Sequence, residues 1–394
     1  MKRAGFKATV EEVWVAGAAM SRFGKMKESG REAAAAVSLK AIEDAGLSPR
    51  DIGHTFVSNT LGIIERQAHL GPIINTALGV PEVPSLTVES ACSSSSAALH
   101  EAFVHVAGGF IDAALVVGAE RLSGLDTLAA TSYFAMGTDY AFESKNGATF
   151  PSLYATMAAA HMNRYGTKAE ELGAVAVKNH ANAALNPNAH MQRPITMETY
   201  LRSPVISWPL RLYDCCPFSD GAAAVVVVNP QKFKGDLRCV PAAIRASARA
   251  GSAAALHDRA DLTTIPSSRI AAEKALRQAR IERSEVDFME VHDCFTIAEI
   301  LALEDMGFYP KGEAARVTSE GETCLGGKLP VNPSGGLKAK GHPVAATGVA
   351  QVVEVMEQFN GRSGKREVKG ATVALTHNVG TTGGSCSVHV FQRV

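Results

Sequence analysis

The sequence of 394 residues has no net charge, because 39 lysines and arginines balance 39 aspartates and glutamates. Proteins that bind nucleic acids or anionic membrane surfaces through their overall field need an excess of positive charge. The sequence also has no hydrophobic run near the ~18 residues that a membrane-spanning helix requires. Both absences argue against nucleic-acid binding and against membrane association.

Cysteine is scarce, and its seven positions form no metal-binding or disulfide pattern. They are 92, 215, 216, 239, 294, 324 and 386, without a Cys-x-x-Cys pair or a zinc-type spacing with histidine. An odd number of dispersed thiols also argues against a disulfide framework. We therefore expect no metal or redox cofactor, a reducing, cytoplasmic environment, and thiols that are free for chemistry.

Targeting signals are absent as well. The N-terminal stretch MKRAGFKATVEEVWVAG is basic, but Glu11 and Glu12 interrupt its apolar part, which is not typical of a signal peptide. The C-terminal VFQRV is not a peroxisomal signal.

The sequence does contain an internal repeat. Residues 40–59 and 274–293 align without a gap at a constant offset (274 − 40 = 234), with small or apolar residues at matching positions. Both segments have the pattern of an amphipathic helix, a short turn and a strand. A second match pairs a helix from Cys92 and a strand at 111–120 with a helix from Pro343 and a strand at 370–380. We predict two similar α/β halves with largely parallel strands.

The two halves differ in the length of the connection to their next strand. In the second half, the strand at 383–391 follows within a few residues, whereas about a hundred residues separate Glu120 from the strand at 221–229. We therefore predict an inserted lobe in the first half. The expected division is a first half at 1–120 plus 219–232, an inserted lobe at 121–218 and a second half at 233–394.

Cys92 and His342 occupy corresponding places in the halves, each just before a buried helix. If the halves pack about a pseudo-twofold axis, both helix starts can meet at one site. Unpaired N–H groups at a helix start favour the thiolate of a cysteine. A histidine outside a helix that begins with Pro343 is suited to act as a general base. A close-packed joint of small residues is the structural alternative for VESACSSSS (88–96).

Two further stretches carry candidate groups. In VHDCFTIAE (291–299), His292 and Cys294 are two apart in an extended segment, so both side chains can face one pocket. In THNVGTTGG (376–384), Gly380 can present its N–H group to an oxyanion. An ordinary strand end and a plain turn are the competing interpretations. Together the groups suit acyl transfer through a thioester.

In this order, the Cys92 segment, HDCF, NPSGGLKAKGHP and HNVG resemble the thiolase superfamily, in particular the sterol-carrier-protein type. The resemblance covers essentially the whole chain. It implies the thiolase fold, an α/β fold with two duplicated halves in five α-β-α-β-α layers and an inserted loop lobe. It also implies coenzyme A as co-substrate, a homodimer or larger oligomer and, as in bacterial and archaeal relatives, a small partner with a zinc ribbon and an oligonucleotide-binding (OB) barrel.

The resemblance also implies a role for each candidate residue. Cys92 would accept the acyl group, and His342 would help to activate it and point into an oxyanion hole. His292 would complete that hole, and Cys294 would move the proton on and off the α-carbon. The N–H groups of Cys92 and Gly380 would form a second hole at the acylated cysteine.

Two departures from the family pattern stand out. Many thiolases have a second cysteine in a C-terminal Cys-x-Gly turn, where this chain has Asn378. The acid/base role therefore falls to Cys294. In addition, Ala345 replaces the glycine that usually follows GHP-x, a change that we expect to affect the shape of the pocket more than its chemistry.

The inserted lobe is rich in aromatic residues, which bears on the substrate. Six aromatic residues lie within 131–154, namely Tyr133, Phe134, Tyr140, Phe142, Phe150 and Tyr154. They form either the core of a small lobe or a wide pocket for a bulky or aromatic acyl group, for example that of benzoylsuccinyl-CoA. No residue that binds coenzyme A can be named.

The expected activity is thiolysis of a 3-oxoacyl-CoA through an acyl-Cys92 intermediate. Three alternatives stay open: a condensing acetyl-CoA acetyltransferase, a retro-aldol lyase, and a non-catalytic lipid-carrier or scaffold subunit.

Overall fold

The computed structural model describes residues 11–60, 62 and 64–394. The basic N-terminal stretch, which the sequence sets apart from signal peptides, lies largely outside them. Within the described ranges, no helix is both long and apolar enough to cross a membrane.

The described strands and helices follow in chain order. The strands are β1 (Trp14–Met20), β2 (His54–Ser58), β3 (Ser85–Thr87), β4 (Ala113–Glu120), β5 (Val205–Ser207), β6 (Leu210–Arg211), β7 (Gly221–Val228), β8 (Ala242–Gly251), β9 (Phe288–Glu290), β10 (Val373–Gly380) and β11 (Ser385–Arg393). The helices are α1 (Gly30–Asp44), α2 (Leu70–Ala77), α3 (Ser94–Ala107), α4 (Thr127–Ala135), α5 (Phe150–Tyr165), α6 (Ala169–Ala183), α7 (Met197–Leu201), α8 (Pro266–Ala279), α9 (Thr296–Asp305), α10 (Ala314–Ser319) and α11 (Thr347–Phe359).

Nine strands form one sheet in the order β3-β2-β4-β7-β1-β8-β11-β10-β9. β2 is parallel to β3 and β4, and β9 is parallel to β10. The other pairs are antiparallel, including β4 with β7 and β10 with β11. The prediction of largely parallel strands was therefore wrong. The turn after β10 is too short for the crossover that a parallel neighbour needs.

The sheet displays the internal repeat directly. A 3₁₀ turn at Pro49–Asp51 precedes β2, and its counterpart at Arg283–Glu285 precedes β9. Both elements keep the offset of the sequence repeat (283 − 49 = 234 and 288 − 54 = 234). The order of the strands is also symmetric about the β1–β8 contact, where the two half-sheets join through two residue pairs. The duplication predicted from the sequence is confirmed.

Helices cover and separate the two half-sheets. α1 and α2 pack on the outer face of the first half, and α8 packs on the outer face of the second. α3 and α11 lie between the half-sheets and share one apolar core with strands of both. This is the predicted α-β-α-β-α arrangement. The close approach of α1 to β1 requires Gly17, since a methyl group there would collide with the backbone of Ala41 and Ala45.

The chain between β4 and β7 forms α4 to α7 and the β5–β6 hairpin. One predicted boundary was wrong: α11 begins at Thr347 rather than at Pro343. The intervening residues form a turn in which the N–H of Ala346 donates to the carbonyl of Pro343 at 2.9 Å. His342 therefore lies a full turn before the helix.

Candidate active site

A largely apolar cavity of about 510 Å³ lies where the two halves and the inserted segment meet. The first half contributes Cys92, the second contributes Cys294 and His342, and the insertion contributes Phe134, Phe150 and Tyr154. Of the sequence-predicted site residues, Cys92, Cys294 and His342 thus line one cavity. His292 lies beside it, and Gly380 ends β10 next to the Cys92 turn.

Cys92 lies in a 3₁₀ turn, Ala91–Ser93, that leads into α3. The turn is held by Ser94, whose hydroxyl donates to the carbonyl of Ala91 at 2.6 Å and accepts the N–H of Ser90 at 2.8 Å. Serines 93–96 are all fully buried. Their small side chains let the turn pack closely, while Cys92 as a residue is partly exposed and lines the cavity.

Burial controls the protonation of Cys92. It is the main cause that raises the pKa of the thiol to about 11, and the carboxylates of Glu120 and Glu89 act in the same direction. The backbone N–H groups of Thr381 and of Cys92 itself oppose this shift without cancelling it. The helix start favours the thiolate, as the sequence predicts, but desolvation outweighs it. The resting group is a thiol, and it needs a base.

The two histidines are placed to supply that base and a hydrogen-bond donor. Cys92 Sγ and one ring nitrogen each of His292 and His342 all lie within 4.8 Å of one another. The two rings are nearly perpendicular, at 86°, with centroids 5.3 Å apart. These three groups could also bind a zinc ion, and the expectation that the protein uses no metal stays a prediction.

His342 presents a lone pair to the site. The hydroxyl of Thr347 donates to the carbonyl of Pro343 at 3.0 Å, so its oxygen accepts the Nδ1–H of His342 at 2.7 Å. Nε2 is then unprotonated. Burial lowers the pKa of His342 to about 3, so the ring is neutral near pH 7. This is the state that a general base requires.

His292 has the opposite tautomer. The side-chain amide of Asn378 donates to His292 Nδ1 at 2.8 Å, so the ring proton is on Nε2. That Nε2 is buried and has no hydrogen-bond partner among the described residues. Burial is the main cause that holds the pKa of His292 well below its usual range, and neighbouring His342 and His377 add to it. A neutral ring with a free N–H suits an oxyanion hole.

Asn378 was recognisable in the sequence only as a replacement for cysteine, and its contact with His292 required the structure. Gly380 is two residues further along β10, and a methyl group there would collide with the hydroxyl of Ser385 and the carbonyl of Ser90. Only glycine allows this close approach to the Cys92 turn. The role of its N–H stays a prediction, and the adjacent Thr381 contributes an N–H next to Cys92.

Cys294 is almost completely buried. Burial is the main cause that raises its pKa well above the usual range, and Cys216, Cys92 and Asp293 add to it. The hydroxyl of Tyr154 lowers the pKa of Cys294. Cys294 is thus a thiol at rest, as the proton donor of the predicted mechanism must be.

Asp293 fixes the segment that carries His292 and Cys294. Its carboxylate accepts the N–H groups of Leu337 at 2.6 Å and Lys338 at 3.2 Å, and the side-chain amide of Asn179 at 2.7 Å. Leu337 and Lys338 belong to a π-helical turn at Gly336–Lys340. The glycine-rich stretch before His342 is therefore tied directly to HDCF.

The six aromatic residues at 131–154 of the insertion divide into three groups. Phe134, Phe150 and Tyr154 line the cavity, Tyr133 lines a smaller neighbouring pocket that also contains Cys92, and Tyr140 and Phe142 are largely exposed to solvent. Phe134 stacks on Phe218, with ring centroids 5.2 Å apart and an angle of 6°. The insertion thus contributes aromatic walls to the cavity.

Ala345 is not among the residues that line the cavity. It is fully buried, and its carbonyl accepts the hydroxyl of Ser58. The same carbonyl faces Gly118 on β4, where a methyl group would collide with it. The expected effect of the Ala345 methyl group on the shape of the pocket stays a prediction.

Two family models match the chain. "Thiolase, N-terminal domain" matches residues 13–231, and "Thiolase C-terminal domain-like" matches residues 248–393. The chain is 42% identical to an acetyl-CoA acetyltransferase of Methanothermobacter thermautotrophicus over 98% of this chain and 100% of that protein. It is 32% identical to the benzoylsuccinyl-CoA thiolase subunit BbsB of Thauera aromatica over 95% of each chain.

Sterol carrier protein 2 of Gallus gallus is 31% identical over 94% of this chain and 70% of its own length. Among solved structures, one named "Ltp2-ChsH2(DUF35) aldolase" superimposes with a TM-score of 0.84 at 27% identity. That match covers 97% of this chain and 98% of the other.

Proposed function

The chain belongs to the thiolase family of acyltransferases, and we propose that it cleaves a 3-oxoacyl-CoA by thiolysis through an acyl thioester on Cys92. The observation that carries this proposal is the pair of complementary tautomers beside Cys92. His342 presents a lone pair that can accept the thiol proton, and His292 presents an N–H that can stabilise negative charge. Acylation of a cysteine by a 3-oxoacyl thioester needs both groups.

The proposed first half-reaction is balanced in protons. His342 takes the proton of Cys92, and the thiolate forms an S–C bond to the 3-oxo carbon. The oxyanion is held by the N–H groups of Cys92 and Gly380. The Cα–Cβ bond then breaks, and the enolate of the shorter acyl-CoA places its thioester oxygen between His292 and protonated His342. Cys294 gives its proton to the α-carbon and becomes a thiolate.

The second half-reaction restores the site. The thiol of a second coenzyme A gives its proton to the Cys294 thiolate and attacks the acyl group on Cys92. The departing Cys92 thiolate recovers its proton from His342. The same steps in reverse give condensation, the direction suggested by the names of the acetyl-CoA acetyltransferase relatives.

We propose a bulky or aromatic acyl group as the substrate. The stacked pair Phe134 and Phe218, with Phe150, offers flat apolar walls to such a group. The similarity to BbsB of Thauera aromatica supports the same choice, since its name specifies a benzoylsuccinyl-CoA thiolase.

A thiolysis screen tests the proposal. The purified protein is mixed with coenzyme A and acetoacetyl-CoA, straight-chain 3-oxoacyl-CoAs or aryl 3-oxoacyl-CoAs, and the acyl adduct is located by peptide mass spectrometry. We expect an adduct on Cys92 and faster cleavage of the aryl substrates. Cys92→Ala and Cys294→Ala should each abolish turnover, whereas Cys324→Ala, at a partly exposed thiol elsewhere, should retain it. Thiolysis by Cys92→Ala would disprove the mechanism.

A retro-aldol lyase is the second candidate, because the solved structure with a TM-score of 0.84 is named as an aldolase. A lyase releases an aldehyde or ketone, needs no second coenzyme A and forms no acyl-Cys92. The adduct measurement therefore distinguishes the two activities. A non-catalytic carrier would form neither product.

We also propose that the protein is a cytoplasmic homo-oligomer that works with a small partner containing a zinc ribbon and an OB barrel. The word "subunit" in the name of BbsB and the DUF35 component named with the aldolase support a partner. Light scattering of the purified chain, alone and co-expressed with a DUF35 protein of the same organism, tests both parts. A monomer that binds no such protein would refute them.

A further inference from the structure

Tyr154 connects the inserted segment to both reactive cysteines. It lies on α5, is fully buried and lines the cavity together with Cys92 and Cys294. Its hydroxyl donates to the carbonyl of Thr381 at 2.8 Å. Its ring stacks on Phe295, the neighbour of Cys294 in the chain, with centroids 4.6 Å apart. The ring is therefore held in place from two sides.

A phenol hydroxyl has one hydrogen and can also accept hydrogen bonds. While its hydrogen points to Thr381, the oxygen of Tyr154 can accept the S–H of Cys294. When Cys294 has lost its proton, rotation about the C–O bond can turn the hydroxyl toward the sulfur. One side chain can thus serve both protonation states of the cysteine.

We propose that Tyr154 is a positioning residue that orients the Cys294 thiol and then stabilises the thiolate formed when Cys294 protonates the α-carbon. This inference rests on the acid/base role of Cys294 in the proposed function. It gives the inserted segment a part in proton transfer in addition to the substrate wall.

The surroundings of Cys294 favour its neutral form. Burial is the main cause that raises the pKa of Cys294, and Cys216, Cys92 and Asp293 act in the same direction. The Tyr154 hydroxyl lowers this pKa, as expected of a group that can donate a hydrogen bond to the thiolate. Such a donor offsets part of the cost of burying the thiolate.

The test uses Tyr154→Phe, which keeps the ring stacked on Phe295 and removes only the hydroxyl. Tyr165→Phe is the matched control, since Tyr165 ends the same helix outside the cavity. Two measurements are made: exchange of the α-protons of acetyl-CoA in D₂O, and alkylation of individual cysteines by iodoacetamide, followed by peptide mass spectrometry.

We expect Tyr154→Phe to slow α-proton exchange and kcat by about 10-fold to 100-fold, the effect of losing a hydrogen bond to a charged group. KM and the rate at which Cys92 is acylated should change by less than about 3-fold. Alkylation of Cys294 at pH 8.5 should become about 10-fold slower, because the thiolate fraction falls.

The direction of the alkylation effect separates this role from simple packing. If Tyr154 only filled space, its truncation would loosen the site and Cys294 would react at the same rate or faster. Either result, or unchanged α-proton exchange, would overturn the inference. Cys294→Ala tests the underlying function separately: α-proton exchange that persists in that variant would refute the acid/base role of Cys294 whatever Tyr154 does.

Discussion

Replacement of Asn378 by alanine should reduce turnover without preventing substrate binding. Asn378 donates to His292 Nδ1 and so places the ring proton on Nε2, which is buried and has no hydrogen-bond partner among the described residues. Without this donor, a buried Nδ1 acceptor is left unpaired, at a cost of about 1–3 kcal/mol. This loss destabilises the tautomer of His292 that has its proton on Nε2. The alternative tautomer then becomes populated, and it offers the oxyanion a lone pair instead of a hydrogen bond.

The size of the effect follows from the value of the lost donor. An oxyanion-hole donor contributes about 10²–10³ in kcat, which is the expected loss for His292→Ala. Asn378→Ala weakens the same donor indirectly, so we expect kcat to fall about 10-fold to 100-fold. KM should stay within about 3-fold, because the donor acts on charge that develops in the transition state.

The assay is steady-state thiolysis of acetoacetyl-CoA, with a double-mutant cycle. Once His292 is replaced by alanine, the further change Asn378→Ala should lower kcat by less than about 2-fold, since the group that it orients is gone. Asn75→Ala removes another buried asparagine that lies outside the cavity, and serves as the control. Wild-type kcat in Asn378→Ala, or equal losses in both backgrounds, would refute this account of the tautomer.

Three further predictions concern stability and specificity. Burial lowers the pKa of His389 to about 3, so its folded form resists protonation and its contribution to stability is lost as the pH falls below about 6.5. When the pH is lowered from 7.5 to 5.5, the free energy of unfolding of the wild type should therefore fall by about 1 kcal/mol more than that of His389→Asn, as measured by urea titration. Equal decreases in the two proteins would contradict this. Gly118→Ala should destabilise the protein by about 2 kcal/mol or more, because the methyl group collides with the carbonyl of Ala345. Thermal unfolding would show this, whereas Gly251→Ala, where a methyl group has room, should have a much smaller effect. Phe218→Ala should lower kcat/KM for aryl 3-oxoacyl-CoAs about 5-fold more than for acetoacetyl-CoA; equal losses on both substrates would argue against an aromatic wall.

Local patterns in the chain were sufficient for the duplication and the insertion, but not for the direction of the strands, which pair mostly antiparallel. Helix and strand periodicity, together with a repeat at an offset of 234, predicted the duplicated halves and the insertion between β4 and β7. These features could be predicted because the spacing of apolar residues is a local property of the sequence. Such spacing indicates a buried helix or strand face whichever layer covers it. The start of α11 was misplaced because a proline is compatible with a turn as well as with a first helical turn.

The residue types of the site were also visible in the sequence, since Cys92, Cys294 and His342 are conspicuous in their motifs and line one cavity. Their chemical states were not visible. Helix starts favour a thiolate locally, yet burial raises the pKa of Cys92 to about 11. Desolvation depends on every atom that packs around a group, and no motif contains that information.

The same distinction applies to the groups that set the proton positions. Thr347 is five residues from His342, but Asn378 is 86 residues from His292, and Tyr154 reaches Thr381 across 227 residues. The order of motifs along the chain determined which atoms could react. Only the packing of the two halves and the insertion decided the tautomer of His292 and the partner of the Tyr154 hydroxyl, because both depend on residues that are distant in sequence and adjacent only in the folded protein.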